Sequence, residues 1–282
     1  MKKKLGIILA VVATAVISIV SLVGCGPVKG LPAQIDALLA VKSGQSDIAI
    51  IDSTMANYLI NVQKSDSVQG LSIATIEGFD DLTVTEDYGV AAQKDKTKLR
   101  DFVSYALYQS TQNGIYQSIV DKYELNAVKI DIAKVENFPA DWQTQLIKQG
   151  EITIAYTDNP PMGIKNNEVI TGFDIDLAKA IFEPLGITVK TKEIVWGSKE
   201  MELNSNKVDL VWNGLTITDE RKETMAISNP YLQNKQAVVV KTENLSKYTK
   251  IADLKGAKIA VEEGSSGQTT ADALVKAIKK AK

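Results

Sequence analysis

The sequence predicts an α/β protein made of two similar lobes around a cleft. The first observation behind this is the stretch Val208–Arg221. Its apolar run Val208-Asp209-Leu210-Val211 reads as a buried strand. Trp212–Ile217 reads as the strand end and a polar turn. Thr218 then opens a short helical pattern, with Asp219 and Glu220 in its first turn. Backbone N–H groups are free at a helix start and the local dipole is positive there. Arg221 adds a planar fork of donors that suits a carboxylate. The stretch is therefore a seat for a small anion, although an ordinary capped helix with a solvated Arg221 fits it equally well. The second observation is an internal echo. A helix followed by Ser43–Asp52 parallels a helix followed by Ser205–Asn213, each feeding a buried strand with polar groups at its end. In α/β sheets ligands bind at such strand ends, and two facing lobes would bring both ends to one cleft. Helix–turn–strand units also look alike without a shared purpose, so the echo alone leaves both readings open.

The 282 residues carry 34 acidic and 32 basic side chains, a net charge of −2, no histidine and one cysteine. With no basic block, nucleic acid is not an expected partner. The absence of histidine removes the commonest general base and metal ligand. No Cys/His cluster exists to hold zinc. No cofactor and no metal site are expected, and the enzyme classes start weak.

At the N-terminus, Lys2, Lys3 and Lys4 precede an apolar run from Leu5 to Val23. This reads as an export signal, although the run is long enough to raise a membrane span. Leu22-Val23-Gly24-Cys25 resembles a bacterial lipobox. The lone Cys25 cannot form an internal disulfide, and the resemblance makes it a lipid attachment point carrying acyl chains such as palmitate. Stable anchoring needs more than one chain. The alternative is a retained anchor helix with an incidental cysteine; either way the body of the protein lies outside the cytoplasmic membrane.

Pro27–Pro32 reads as a polar tether and Gln34–Val41 as a helix. Ser46–Asp52 reads as a buried strand ending in a carboxylate, and Ser53–Val62 as helical. Leu71–Ile76 and Tyr88–Gln93 read as strands. A helical region runs from about Thr97 to Tyr123, and Gly114 splits it. Asn126–Pro139 is a weakly patterned linker, Ala140–Gln149 looks helical, and Ile152–Tyr156 starts the second half.

Several motifs together resemble the bacterial extracellular solute-binding proteins, family 3, which deliver polar amino acids to ABC importers. Gly214-Leu215-Thr216-Ile217-Thr218-Asp219-Glu220-Arg221 resembles the family signature. Tyr156–Gly163 resembles its first-strand loop, and Gly172-Phe173-Asp174-Ile175-Asp176-Leu177-Ala178 a helix start. Ser228-Asn229-Pro230-Tyr231 and Gly264-Ser265-Ser266-Gly267 resemble two later segments. These motifs stand in family order over residues 150–282. Residues 31–125 also resemble the family, but they resemble its C-terminal region, which normally follows the Gly264–Gly267 loop. The resemblance thus implies a two-lobed, periplasmic-binding-protein-like fold of type II with its segments circularly permuted. The domains follow as a signal peptide over 1–25, an opening segment of the second lobe over 26–88, and a return to the first lobe, with C-terminal-type helices, over 89–125. A joining linker and helix follow over 126–149, then the first-lobe core over 150–235 and the remainder of the second lobe over 236–282. A fragment spanning two tandem binding domains would show the same order. One family strand lacks a counterpart unless Gly26–Leu31 supplies it; its loss would leave a sheet edge unpaired and make the second lobe the weaker one.

The resemblance also implies a site. Arg221 takes an amino acid's carboxylate, helped by the Thr216 backbone N–H and, from the opposite lobe, Ser266. Asp52 pairs with the ammonium, which the Asn213 or Gly214 carbonyl shares. Charges removed from water must be matched, so matching across the lobes requires closure. Trp196 and Tyr156 sit where side chains cover the ligand, and Asp158 is a contact for a basic ligand tip. Asp52, Asp158, Ser265 and Ser266 each also read as plain turn or cap residues, and an Asp before Asn-Pro-Pro orders a turn. The expected function is amino-acid capture by a lipid-anchored monomer on the extracellular face of the cytoplasmic membrane, with delivery to importer membrane subunits and no catalysis. The alternatives are a dehydratase-type enzyme on the same fold and a ligand-sensing domain; no span or signalling domain follows before Lys282.

Overall fold

A computed structural model describes residue 26, residues 28–131 and residues 146–280. Cys25, the apolar run before it and positions 140–145 of the expected 140–149 helix lie outside the described residues. Among the described residues no helix is long and apolar enough to cross a membrane.

The chain runs β1 (Val28–Leu31), α1 (Gln34–Lys42), β2 (Ile48–Asp52) and α2 (Ser53–Asn57), which continues as a wider π turn over Tyr58–Val62. Then come β3 (Leu71–Ala74), β4 (Glu86–Gln93), α3 (Thr97–Gln112), α4 (Ile115–Lys122), β5 (Glu151–Tyr156), and the hairpin of β6 (Ile164–Asn166) and β7 (Val169–Thr171). After it follow α5 (Phe173–Phe182), β8 (Thr188–Glu193), α6 (Lys199–Asn204), β9 (Leu210–Thr216) and α7 (Asp219–Thr224). The last elements are β10 (Met225–Ile227), β11 (Leu232–Asn234), β12 (Gln236–Lys241), β13 (Ile259–Glu262) and α8 (Ser266–Lys280).

These strands form two main sheets. The first lobe has the order β8-β5-β9-β4-β10, with β11 pairing the other end of β4; the second has β1-β13-β2-β12-β3. Both follow one plan, three parallel strands and then an antiparallel fourth. The echo in the sequence has a structural counterpart. Asp47, just before β2, donates its N–H to Lys258 O at 2.9 Å and accepts the Lys258 N–H on its carboxylate at 2.8 Å. Asp209, just before β9, does the same with Thr153, at 2.9 and 2.8 Å. Each aspartate thereby fixes the register of two parallel strands where they begin.

Both sheets are covered by helices, so central strands such as β2, β12 and β13 read as apolar runs rather than alternating ones. In the second lobe, Ile48, Ile50, Val238 and Ile259 pack with Leu274 and Ile278 of α8, while Ala49, Ile51 and Val239 pack with Leu38 and Val41 of α1. Each Val, Leu or Ile among them contributes about 1.5–3 kcal/mol when fully buried. In the first lobe, Phe173 of α5 stacks on Tyr231 with centroids 6.2 Å apart, and Trp212 meets Tyr231 edge-on at 6.0 Å. The Tyr116 hydroxyl of α4 donates to the Tyr231 carbonyl at 2.8 Å.

Two expectations change. Trp212–Thr216 is not a turn: β9 continues through it, wholly buried. The ladder with β4 is irregular there, since the register passes from Leu215 opposite Gly89 to Val211 opposite Ala91, so that Trp212–Gly214 face Val90 alone. Such a bulge re-aims side chains without ending the strand. The polar composition of the bulge imitates a turn. The second change concerns the strand without a counterpart. Val28–Leu31 supplies it, pairing in parallel with β13 from Val28 opposite Ile259 to Leu31 opposite Glu262. The second-lobe sheet is therefore five-stranded, and no missing strand weakens that lobe.

Candidate functional site

The lobes are joined by two crossings, residues 75–85 between β3 and β4 and Lys235 between β11 and β12. At the crossings lies a polar cluster. The Asp52 carboxylate accepts from the side-chain amides of Gln34 (2.7 Å), Asn234 (2.9 Å) and Gln236 (2.7 Å). Glu86 accepts from the Thr216 hydroxyl (3.0 Å) and from the same Asn234 and Gln236 amides (3.2 and 3.1 Å). Burial raises the pKa of both carboxyls; each side-chain amide bond lowers it, and the Asp52 charge raises Glu86 further. Amide donors, rather than cations, thus hold two acids side by side at the floor of the cleft.

Above this floor, Arg221 reaches across the cleft. Thr218 caps α7 as its sequence predicts, its hydroxyl accepting the Arg221 N–H at 3.1 Å. The cap fixes the guanidinium over the strand end. Nη1 donates to the Thr216 carbonyl at 2.8 Å, and Nη2 donates to the Gly264 carbonyl of the other lobe at 3.2 Å. Lys199, buried on α6, donates to the same Gly264 carbonyl at 3.3 Å and lies 5.0 Å over the Trp196 ring. Burial, with the Arg221 charge beside it, lowers the Lys199 ammonium to about 8. One carbonyl at the start of the second-lobe loop therefore meets two first-lobe cations.

That loop is shaped by the helix after it. The Ser265 hydroxyl donates to the Glu262 carbonyl at 2.8 Å and accepts the Gln268 N–H at 3.3 Å, and the Gln268 side chain accepts the Gly264 N–H at 2.7 Å. This is a reciprocal cap at a helix start. Gly267 allows α8 to lie against β2, because a Cβ there would come within 2.8 Å of the Ile50 carbonyl.

The bulge in β9 supplies the first-lobe wall. Gly214 takes φ +62°, a left-handed value open to glycine at little cost. Its N–H leaves the ladder and donates to Asp174 at 2.7 Å. Asp174 is fully buried on α5 and also accepts from the Tyr231 hydroxyl at 2.9 Å. Burial raises its carboxyl to about 7, and these donors offset some of the rise. Asn213 accepts the N–H and hydroxyl of Thr157 at 3.0 and 2.8 Å, tying the loop after β5 to the bulge.

Between these walls lies a small cavity, about 10 Å³, the scale of a single water. Of the ten residues expected at the ligand, eight line it: Asp52, Trp196, Asn213, Gly214, Thr216, Arg221, Ser265 and Ser266. Tyr156 and Asp158 do not line it. Tyr156 is buried at the end of β5, and Asp158 accepts the Lys165 N–H at 3.0 Å, which orders the approach to β6. Four lining residues were not anticipated from the sequence: Gln34, Thr157, Asn159 and Glu262. Thr157 and Asn159 stand inside the motif Tyr156–Gly163, so their signal was present. For Gln34 and Glu262 only strand-end and helix-start positions could have pointed to them. Among the described residues no group of His, Cys, Asp and Glu is arranged to hold a metal.

Known proteins resemble this chain over part of its length. Residues 152–282 match the family model of the bacterial extracellular solute-binding proteins, family 3. An "ABC transporter arginine-binding protein 1" from Escherichia coli is 36% identical over 103 residues, 36% of this chain and 41% of that protein. An L-cystine-binding protein from the same organism is 32% identical over 107 residues, 38% and 40% of the two chains. An L-arginine-binding protein from Pseudomonas aeruginosa is 31% identical over 150 residues, 53% and 55%. The chain thus spans about half or less of the length of these curated relatives. Over residues 152–282, just under half of its length, this chain is similar to the bacterial extracellular solute-binding proteins, family 3.

Proposed function

We propose that this protein captures one polar amino acid between its lobes and delivers it to the membrane subunits of an ABC importer. The observation that carries the reading is that Asp52 and Arg221, from opposite lobes, line one cavity with Thr216 and Ser266. An α-amino acid presents a carboxylate and an ammonium a few ångströms apart, and these residues offer one opposite charge to each. The cavity is too small for an amino acid. Binding therefore requires the lobes to separate, which breaks the contact of Arg221 Nη2 with Gly264 O; the ligand carboxylate then takes that donor on closure. Closure of hinged lobes about a ligand is a common transition. In this reading the domains follow a circular permutation, in which residues 126–149 join the original ends and the new ends fall between α8 and β1. The shared strand plan of the two sheets supports it, with β1 in the place that β8 has in the first lobe. The protein acts as a monomer on the extracellular face of the cytoplasmic membrane, held through lipid on Cys25. Calorimetric titration against the proteinogenic amino acids tests the central claim. Saturable binding of one or a few, with the ligand recovered unchanged, is expected; no binding at all, or turnover, defeats it.

A further inference from the structure

We propose that Glu262 receives the positive end of the ligand's side chain, so that the cleft selects cationic amino acids over neutral ones. This deepens the amino-acid reading above and rests on it. The relatives' names do not decide the point, since they include both arginine and cystine binders.

Glu262 is set apart by its partners. It is 3% exposed, sits at the end of β13 and lines the cavity. None of the ion pairs among the described residues involves it. The other two acids are already dressed: Asp52 accepts from three amides, and Glu86 from a hydroxyl and two amides. The two cations nearby donate to carbonyls, Arg221 to Thr216 and Gly264, Lys199 to Trp196 and Gly264. Three buried carboxylates thus face two cations. An amino acid's own carboxylate and ammonium cancel, so one carboxyl has no counter-charge and, because a buried charge without a partner is costly, keeps its proton until a cation arrives. A ligand with a guanidinium or ammonium at the end of its side chain restores the balance. Trp196, 5% exposed, lines the same cavity and is the aromatic side chain there for an apolar stem to meet.

The groups facing Glu262 agree. Burial, then the Asp52 charge, raises its carboxyl to about 8, against partial relief from Lys199, Arg221 and the Gln34 amide. At neutral pH the site therefore holds a proton that an arriving cation displaces.

The test is calorimetric titration of the full chain with L-arginine and with L-citrulline, a near-isostere without the charge, in buffers of differing ionisation enthalpy at pH 7. Arginine is expected to bind at least tenfold more tightly and to release a proton. Glu262→Gln, which keeps the size of the side chain, is expected to bring the two affinities together and to abolish the release. Citrulline binding as tightly as arginine in the parent protein overturns the proposal without any variant. So does a Glu262→Gln protein that keeps the arginine preference, in which case Glu262 serves only as a counter-charge for Lys199. If amino acids bind but without preference for cations, the charge inference alone fails; if none binds, the functional reading fails with it.

Discussion

Asp174 shows how one residue of the first-lobe core sets the shape of the cleft. Its carboxylate holds the Gly214 N–H out of the β-ladder, so it positions the bulge without lining the cavity. Its pKa is raised in the folded state, to about 7 against 3.8. The sign follows from linkage. A carboxyl harder to ionise when folded favours the fold fully below its unfolded pKa, and this advantage is lost as pH rises through its folded pKa. Stability should thus fall between about pH 4 and pH 7 through this group. Asp174→Asn is expected to flatten that fall, read from urea denaturation midpoints at pH 4.5 and pH 8; an unchanged difference between the two midpoints would show that the carboxyl does not titrate there. Arg221 is the other decisive residue. Arg221→Lys keeps the charge but loses the planar fork, and a hydrogen bond to a charged group contributes about 1.5–3 kcal/mol. A loss of at least tenfold in affinity for the captured amino acid is expected by calorimetry, and equal affinity would remove Arg221 as its anchor. Arg221 and its Thr218 cap were legible because the cap is a pattern spanning only four residues. Gln34, Asn234 and Gln236 were not, because the Asp52 they hold is 18 to 184 positions away.

Among the elements, β1 carries the most consequence for its length. It is an edge strand of four residues, paired only with β13. Neighbouring residues of such a strand aim their N–H groups alternately at the partner and at solvent. Lys29→Pro together with Gly30→Pro therefore removes a ladder bond whichever of the two faces β13. The double variant is expected to lose several degrees in thermal midpoint and to associate at high concentration, because the edge of β13 is left open. A midpoint equal to the parent's would mean that β1 adds nothing to the second lobe. The strand β2 was legible as an apolar run and α3 and α4 as one helical region split at Gly114, which takes φ +80°. From its own residues β1 read as a tether, since Val28-Lys29-Gly30-Leu31 has neither an apolar run nor a clear alternation, and only the family resemblance raised it as a strand. Its state is decided by the parallel strand beside it. The β9 bulge escaped for the converse reason, because Asn213 and Gly214 carry turn chemistry inside a buried strand.

At the scale of the molecule, Asp52, Glu86, Asp174 and Glu262 are buried acids whose pKa values are all raised. Their contributions share a sign, so the whole protein is expected to be more stable at pH 5 than at pH 8. The echo around Asp47 and Asp209 left two readings open; the two-lobed plan, and which segments of the two halves share a lobe, were legible only through the family resemblance, since pairing across most of the chain leaves no local trace.

The strand order also sets a timetable. β13 lies between β1 and β2 in the sheet, yet it comes more than two hundred residues after them. A ribosome makes the chain from its N-terminus, so every strand of the first lobe has emerged before residues 259–262 exist. Until then β1 has no neighbour, and α1 lacks Ala260, one of the side chains it packs with. Such long-range pairing is slow to form and leaves segments exposed meanwhile. Chains arrested after Thr249 are expected to resist protease over residues 86–234 and to be cut within residues 28–42. β1 waits for β13.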